Sequence, residues 1–163
     1  DFRAYERAFQ LMMQVAGRAG RKGKQGKVLV QTYDDEQEIF SLLKAHDYTS
    51  FIDKQIEERK LFSYPPFNRL IGITLKHKNQ RKLDVAADGL VSLLRKSFGN
   101  RVLGPEYPAI SRIRNYYHKN VLLKIEQEGS VVEAKNILQT IVGRMQEHAD
   151  FKAIRFILDV DPV

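Results

Sequence analysis

The segment Gln14-Val15-Ala16-Gly17-Arg18-Ala19-Gly20-Arg21 holds the residue types best suited to chemistry. On one continuous helix, Gln14, Arg18 and Arg21 stand at i, i+4 and i+7, hence on one face. Gly17 and Gly20 remove side chains alongside them, at a cost of about 1 kcal/mol each in helix propensity. Two such costs beside two arginines make sense where something planar and anionic docks closely. A guanidinium suits that task, because its fork donates two parallel hydrogen bonds to phosphate oxygens and stays charged throughout. The plainer alternative is a basic helix end whose arginines complement the helix dipole. Capping does not explain the two glycines.

No phosphate loop of the form Gly-x-x-x-x-Gly-Lys-Ser/Thr occurs, nor an Asp-Glu box preceded by a strand. The Gly- and Lys-rich stretch from Gly17 to Lys27 lacks the required spacing. A nucleotide is therefore expected to be held mostly by residues upstream of this chain.

A second group, Arg112, Arg114, Tyr116, Tyr117, His118 and Lys119, puts cations and aromatic rings around one expected hairpin. Arginines and tyrosines so interleaved can grip phosphates and stack on bases. The alternative is that the tyrosines cover a sheet edge and the arginines are solvated. Lys22, Lys24 and Lys27 can track a DNA backbone or merely solubilise a loop, and the loop is the simpler reading. The four histidines have no metal-ligand spacing, so no metal site is expected. Glu57-Glu58 reads as a solvated helix face, and Asp159 with Asp161 as a strand end.

The elements that must carry these groups divide at Ser63-Tyr64-Pro65-Pro66, since proline disfavours helix at the preceding residue and cannot continue one. Residues 1–64 read as helix, loop, strand, helix, helix. Phe2, Tyr5, Phe9, Met12, Met13 and Ala16 form an amphipathic stripe. Val28-Leu29-Val30 suits a strand buried on both faces. One strand with three helices needs neighbouring strands, expected upstream of Asp1.

Residues 65–163 form a fuller pattern. Ile71, Ile73 and Leu75 alternate as in a half-buried strand. Asn79 caps a helix with Leu83, Ala86, Ala87, Leu90, Leu94 and Phe98 on one face, closed by Gly99. Val102-Leu103 is a short strand, and Ala109–Tyr117 pairs with His118–Gln127 as a hairpin. Ser130-Val131-Val132-Glu133 is a capping box opening a second helix. Ile154, Phe156, Leu158 and Val160 alternate as a last strand. The order β-α-β-β-α-β is the split βαβ, or ferredoxin-like, α+β arrangement.

Composition is consistent with this. The chain has 163 residues, 43% hydrophobic and 29% charged, the range of a soluble globular protein. No apolar run approaches the roughly 20 residues of a membrane span. The absence of cysteine rules out disulfides and thiolate metal sites and fits a reducing cytoplasm. A net charge of +7 points to a polyanionic partner or to solvated lysine faces.

The pattern Gln-x-x-Gly-Arg-x-Gly-Arg resembles motif VI of superfamily 2 helicases. Asp1-Phe2-Arg3-Ala4, Glu6-Arg7, Gln10-Leu11, Gly26–Thr32, Glu58-Arg59 ahead of Pro65-Pro66-Phe67, Val102–Pro105 and the closing Leu158-Asp159-Val160-Asp161-Pro162 together resemble the primosomal protein N′ helicases, the PriA family. The resemblance covers nearly the whole chain. It implies a 3′-to-5′ DNA helicase that recognises abandoned replication forks and reloads the replisome in the bacterial cytoplasm, associated with the nucleoid. Residues 1–64 would then be the end of a RecA-like second motor lobe, and residues 65–163 a C-terminal domain similar to ribosomal protein S10. Arg21 would be the arginine finger, with Arg18 assisting and Gln14, Gly17 and Gly20 at the nucleotide. ATP and Mg would be held mainly by an upstream lobe, and zinc by an upstream cysteine-rich module. Implied partners are branched and single-stranded DNA, single-stranded DNA-binding protein and primosome proteins. For DNA contact, Arg112, Arg114, Tyr116 and Lys119 are the candidates. Two other readings stay open: a different superfamily 2 translocase, of fork reversal or repair, and a non-catalytic nucleic-acid or protein docking domain.

Overall fold

A computed structural model describes residues 2–19 and 26–162. It divides into two compact units, Asp1–Phe62 and Ser63–Val163.

The first unit contains α1 (Ala4–Arg18), α2 (Glu38–Ala45) and α3 (Tyr48–Leu61). Of the apolar stripe on α1, only Phe9 is fully buried. Its ring stacks on Phe51 of α3, with centroids 4.1 Å apart and planes 6° from parallel. Ile39 of α2 completes a small core ringed by Met12, Met13, Phe40, Leu42, Leu43 and Ile52. α2 stops at His46, which takes a left-handed φ of 53°. Asp47 then caps α3, its carboxylate accepting from the Ser50 amide at 3.0 Å, which satisfies one of the unpaired donors of the first turn. Ion pairs Glu6–Arg59 and Glu38–Lys54 tie α1 and α2 to α3.

The strand expected at Val28-Leu29-Val30 is not formed. Residues 26–37 have no regular structure, and Leu29 is 95% exposed. The reason lies in the backbone: a strand buried on both faces needs ladder partners for its N–H and C=O groups. Among the described residues of this unit there is no strand to supply them.

The second unit is a mixed α/β structure on an antiparallel sheet. Its elements are β1 (Asn68–His77), α4 (Gln80–Phe98), β2 (Val102–Glu106), β3 (Arg112–Ile113), β4 (Tyr116–Glu126), α5 (Val131–Glu147) and β5 (Arg155–Val160). The sheet order is β2-β4-β1-β5, with β3 paired to β4. Asn79 caps α4 by accepting from the Lys82 amide at 3.0 Å, and Gly99 follows the helix at a φ of 57°. Ser130 caps α5 by accepting from the Glu133 amide at 3.2 Å.

Ile71, Ile73 and Leu75 of β1 stand in one buried layer with Val121, Leu123 and Ile125 of β4, under Leu83, Leu90, Leu94, Leu138 and Met145 of the two helices. The even-numbered residues of both strands point to the opposite face, because side chains alternate with a period of two. At Gly104 the β2 strand bulges against β4. Its φ is 97°, and a Cβ there would stand 2.8 Å from the Asn120 carbonyl oxygen, so only glycine fits. The hairpin turn expected at Tyr117-His118 lies instead at Arg114-Asn115, both with positive φ. Asn115 tolerates that left-handed turn better than either aromatic residue would.

Candidate nucleotide and nucleic-acid sites

α1 places Gln14, Gly17 and Arg18 in its last two turns, and all three are exposed. Arg18 is the basic residue of the final turn, in line with the helix dipole. The helix closes on Ala19. Gly20 and Arg21 lie outside the described residues, as do Lys22 and Lys24. Among the described residues, a Cβ on Gly17 would meet nothing within 4 Å, so their packing does not call for glycine there.

The hairpin residues separate onto two faces of β4. Tyr117 and Lys119 face the helices, while Tyr116 and His118 face the other side, following the alternation of the strand. Arg112 sits 5.1 Å from the Tyr117 ring and donates from Nη2 to Asn115 Oδ1 at 3.1 Å. Arg114 is exposed at the turn.

Lys119, grouped with these residues in the sequence, is only 8% exposed. Its Nζ pairs with Asp84 Oδ1 of α4 at 2.8 Å and lies 4.9 Å from the Tyr107 ring. Tyr107 donates its hydroxyl to the same carboxylate at 2.5 Å. Burial pushes the Asp84 carboxyl up, but the bonds from Lys119 and Tyr107 overcome it and hold the group below the usual carboxylate range. Burial and the Asp84 bond both push the Tyr107 hydroxyl up. The ammonium is thus committed to an internal network.

Tyr116 gathers different neighbours. Arg155 of β5 lies 5.1 Å from its ring centroid and Lys78 lies 5.7 Å away. Neither cation was legible as part of a site, since they sit some eighty positions apart. The available signal was local: Lys76 lies at the end of β1 and Lys78 follows just beyond it, two cations within three residues.

Lys124, on the same face as Tyr116, lies 4.1 Å from the Tyr64 ring, and burial pulls its pKa down. Among the described residues, no group of three or more His, Cys, Asp or Glu side chains could hold a metal ion. Among them also, no helix is long and apolar enough to cross a membrane.

These features define a basic α/β protein with exposed arginines at the end of α1 and on the β3–β4 hairpin. The family model for the primosomal protein N C-terminal domain matches residues 60–163, and the chain belongs to that family. It is 33% identical over 99% of its length to the replication restart protein PriA of Bacillus subtilis. It is 32% identical over 99% of its length to PriA of Thermotoga maritima, and 37% identical over 76% to PriA of Rickettsia felis. The chain spans about a fifth of the length of these relatives.

Proposed function

We propose that this chain is the C-terminal part of an ATP-dependent 3′-to-5′ DNA helicase that recognises stalled replication forks and restarts replication. The observation that carries the reading is membership of the primosomal protein N family together with relatives named replication restart proteins. In this reading residues 1–64 complete a RecA-like second motor lobe. The S10-like, ferredoxin-like assignment of the second unit is supported by its element order and by the sheet order β2-β4-β1-β5.

Arg21 is the arginine finger, meeting charge that develops on the transferred phosphoryl group, and Arg18 assists it. The exposure of Gln14, Gly17 and Arg18 supports an approach to nucleotide from outside this chain. ATP and Mg are gripped mainly by an upstream lobe, and zinc belongs to an upstream module. Arg112, Arg114 and Tyr116 serve DNA, while Lys119 holds β4 to α4. Partners in the cytoplasm are branched and single-stranded DNA, single-stranded DNA-binding protein and primosome proteins.

The test is Arg21→Ala in the intact helicase. DNA-stimulated ATP hydrolysis should fall by roughly 10³-fold or more, with DNA affinity nearly unchanged. Undiminished turnover would remove the motor reading and leave a docking domain.

A further inference from the structure

A cleft of about 830 Å³ opens where the end of β1 meets the α5–β5 connection. Lys76, Lys78, Lys152 and Arg155 line it with Tyr116, and no carboxylate does. Among the described residues, none of the four cations has an ion pair.

The placement runs against ordinary sheet design. Lys76 stands directly across from Arg155 on one side and His118 on the other, so three basic residues form a row across β5, β1 and β4. Like charges directly opposite one another destabilise a sheet. Neighbouring strands are only about 4.8 Å apart, and among the described residues no carboxylate is ion-paired with Lys76 or Arg155. The His118 side chain responds to this: burial, then the Lys76 charge, lowers its pKa. The Tyr116 ring sits beside both Arg155 and Lys78, at cation–π range, which aims the two head groups.

We infer that this cleft is a binding site for the sugar–phosphate backbone of DNA, with Lys76, Lys78, Lys152 and Arg155 as phosphate contacts and Tyr116 as their positioning residue. The inference rests on the reading of the protein as a DNA motor and names where its C-terminal unit grips the strand. A guanidinium fork and ammonium groups around an aromatic ring match a phosphodiester chain better than isolated carboxylates. The site is distinct from the β3–β4 turn and does not use Lys119.

The experiment is fluorescence anisotropy of the 163-residue chain with a fluorescein-labelled forked DNA carrying single-stranded arms, titrated across salt. Lys78→Ala with Arg155→Ala should raise Kd roughly tenfold and lower the log–log salt slope by about 1.4, at about 0.7 per single-strand contact. The control pair, Lys96→Ala with Lys135→Ala, removes equal charge from exposed positions outside the cleft and should leave the slope nearly unchanged. Tyr116→Leu should weaken binding several-fold at unchanged circular dichroism, and Tyr116→Phe should restore it. Equal slopes for the cleft pair and the parent chain would overturn the site, as would an equal loss in the control pair. Capture of a labelled poly-glutamate decapeptide that the cleft pair abolishes, with DNA affinity untouched, would also overturn it in favour of an acidic protein segment. The Arg21→Ala turnover measurement is read separately, so failure of the cleft and failure of the motor reading are distinguishable.

Discussion

Asp161 and Leu70 are bonded in both directions. The Leu70 amide donates to Asp161 Oδ1 at 3.0 Å, and the Asp161 amide donates to the Leu70 carbonyl at 2.8 Å. Asp161 takes a φ of 53° to do this, and Pro162 then lies against Gly72, at 3.3 Å from where a Cβ would stand. The pair fastens the end of β5 to the start of β1 at Leu70, which is 2% exposed.

Asp161→Ala should therefore cost about 1–2 kcal/mol, from an unsatisfied amide and a left-handed backbone without a short polar side chain. Asp161→Asn keeps an acceptor and tolerates that conformation, so it should cost less. Urea denaturation of the chain and both variants decides the point. An equal loss for Ala and Asn would show that the charge, and not the bond, matters.

The Asp84–Lys119 pair is asymmetric, with side-chain exposures of 36% and 10%. Asp84→Ala strands a nearly buried ammonium and should cost about 2 kcal/mol, discounted for the partly solvated carboxylate. Lys119→Met removes the buried charge and fills the same space, so it should cost less than Asp84→Ala. The reverse order in thermal unfolding would contradict this account of the network.

His118 is 7% exposed, and its pKa is lowered by burial first and by Lys76 second. The folded chain thus binds this proton less readily than the unfolded chain does. The sign follows: stability from His118 is whole above the unfolded value, about 6.5, and is lost as pH falls through the lower folded value. The urea midpoint should drop between pH 7.5 and 5.5, and His118→Gln should flatten that drop. Identical pH slopes in the two proteins would rule the residue out as the cause.

Phe9 is fully buried and carries a three-residue core. Phe9→Ala should cost about 3–5 kcal/mol, more than so small a core can lose. Amide exchange in α1, α2 and α3 should then accelerate while the amides of β1 and β4 stay protected. Equal acceleration in both units would mean that they unfold as one.

Much of residues 65–163 was legible because its local signals agree, although the hairpin turn lies at Arg114-Asn115 and not at Tyr117-His118. The Asn79 and Ser130 caps, the Gly99 stop and the alternation of Ile71, Ile73 and Leu75 all act locally, and the structure uses each of them. Val28-Leu29-Val30 misled because β-propensity describes a fit to neighbouring strands, and none is present among the described residues. Lys119 was grouped with Arg112 and Arg114 by proximity in the chain, whereas its partner Asp84 comes from another helix. The Tyr116 cleft draws on β1, β4 and β5, so no single stretch of sequence displays it. Arg21, the residue singled out first for phosphate chemistry, lies outside the described residues, and only solution measurements bear on its role.

The two-sided partition of β4 bears on how this protein can change. Odd positions from Tyr117 to Ile125 face the helices, and even positions from Tyr116 to Lys124 face the opposite side, where Tyr116 lines the cleft. Selection can therefore retune the outer surface, one alternate letter at a time, while the helix-facing letters between them stay untouched. Insertion of a single residue would exchange the two alphabets at once, burying the recognition residues and exposing the core. Variation along this strand is consequently free in spelling and rigid in length.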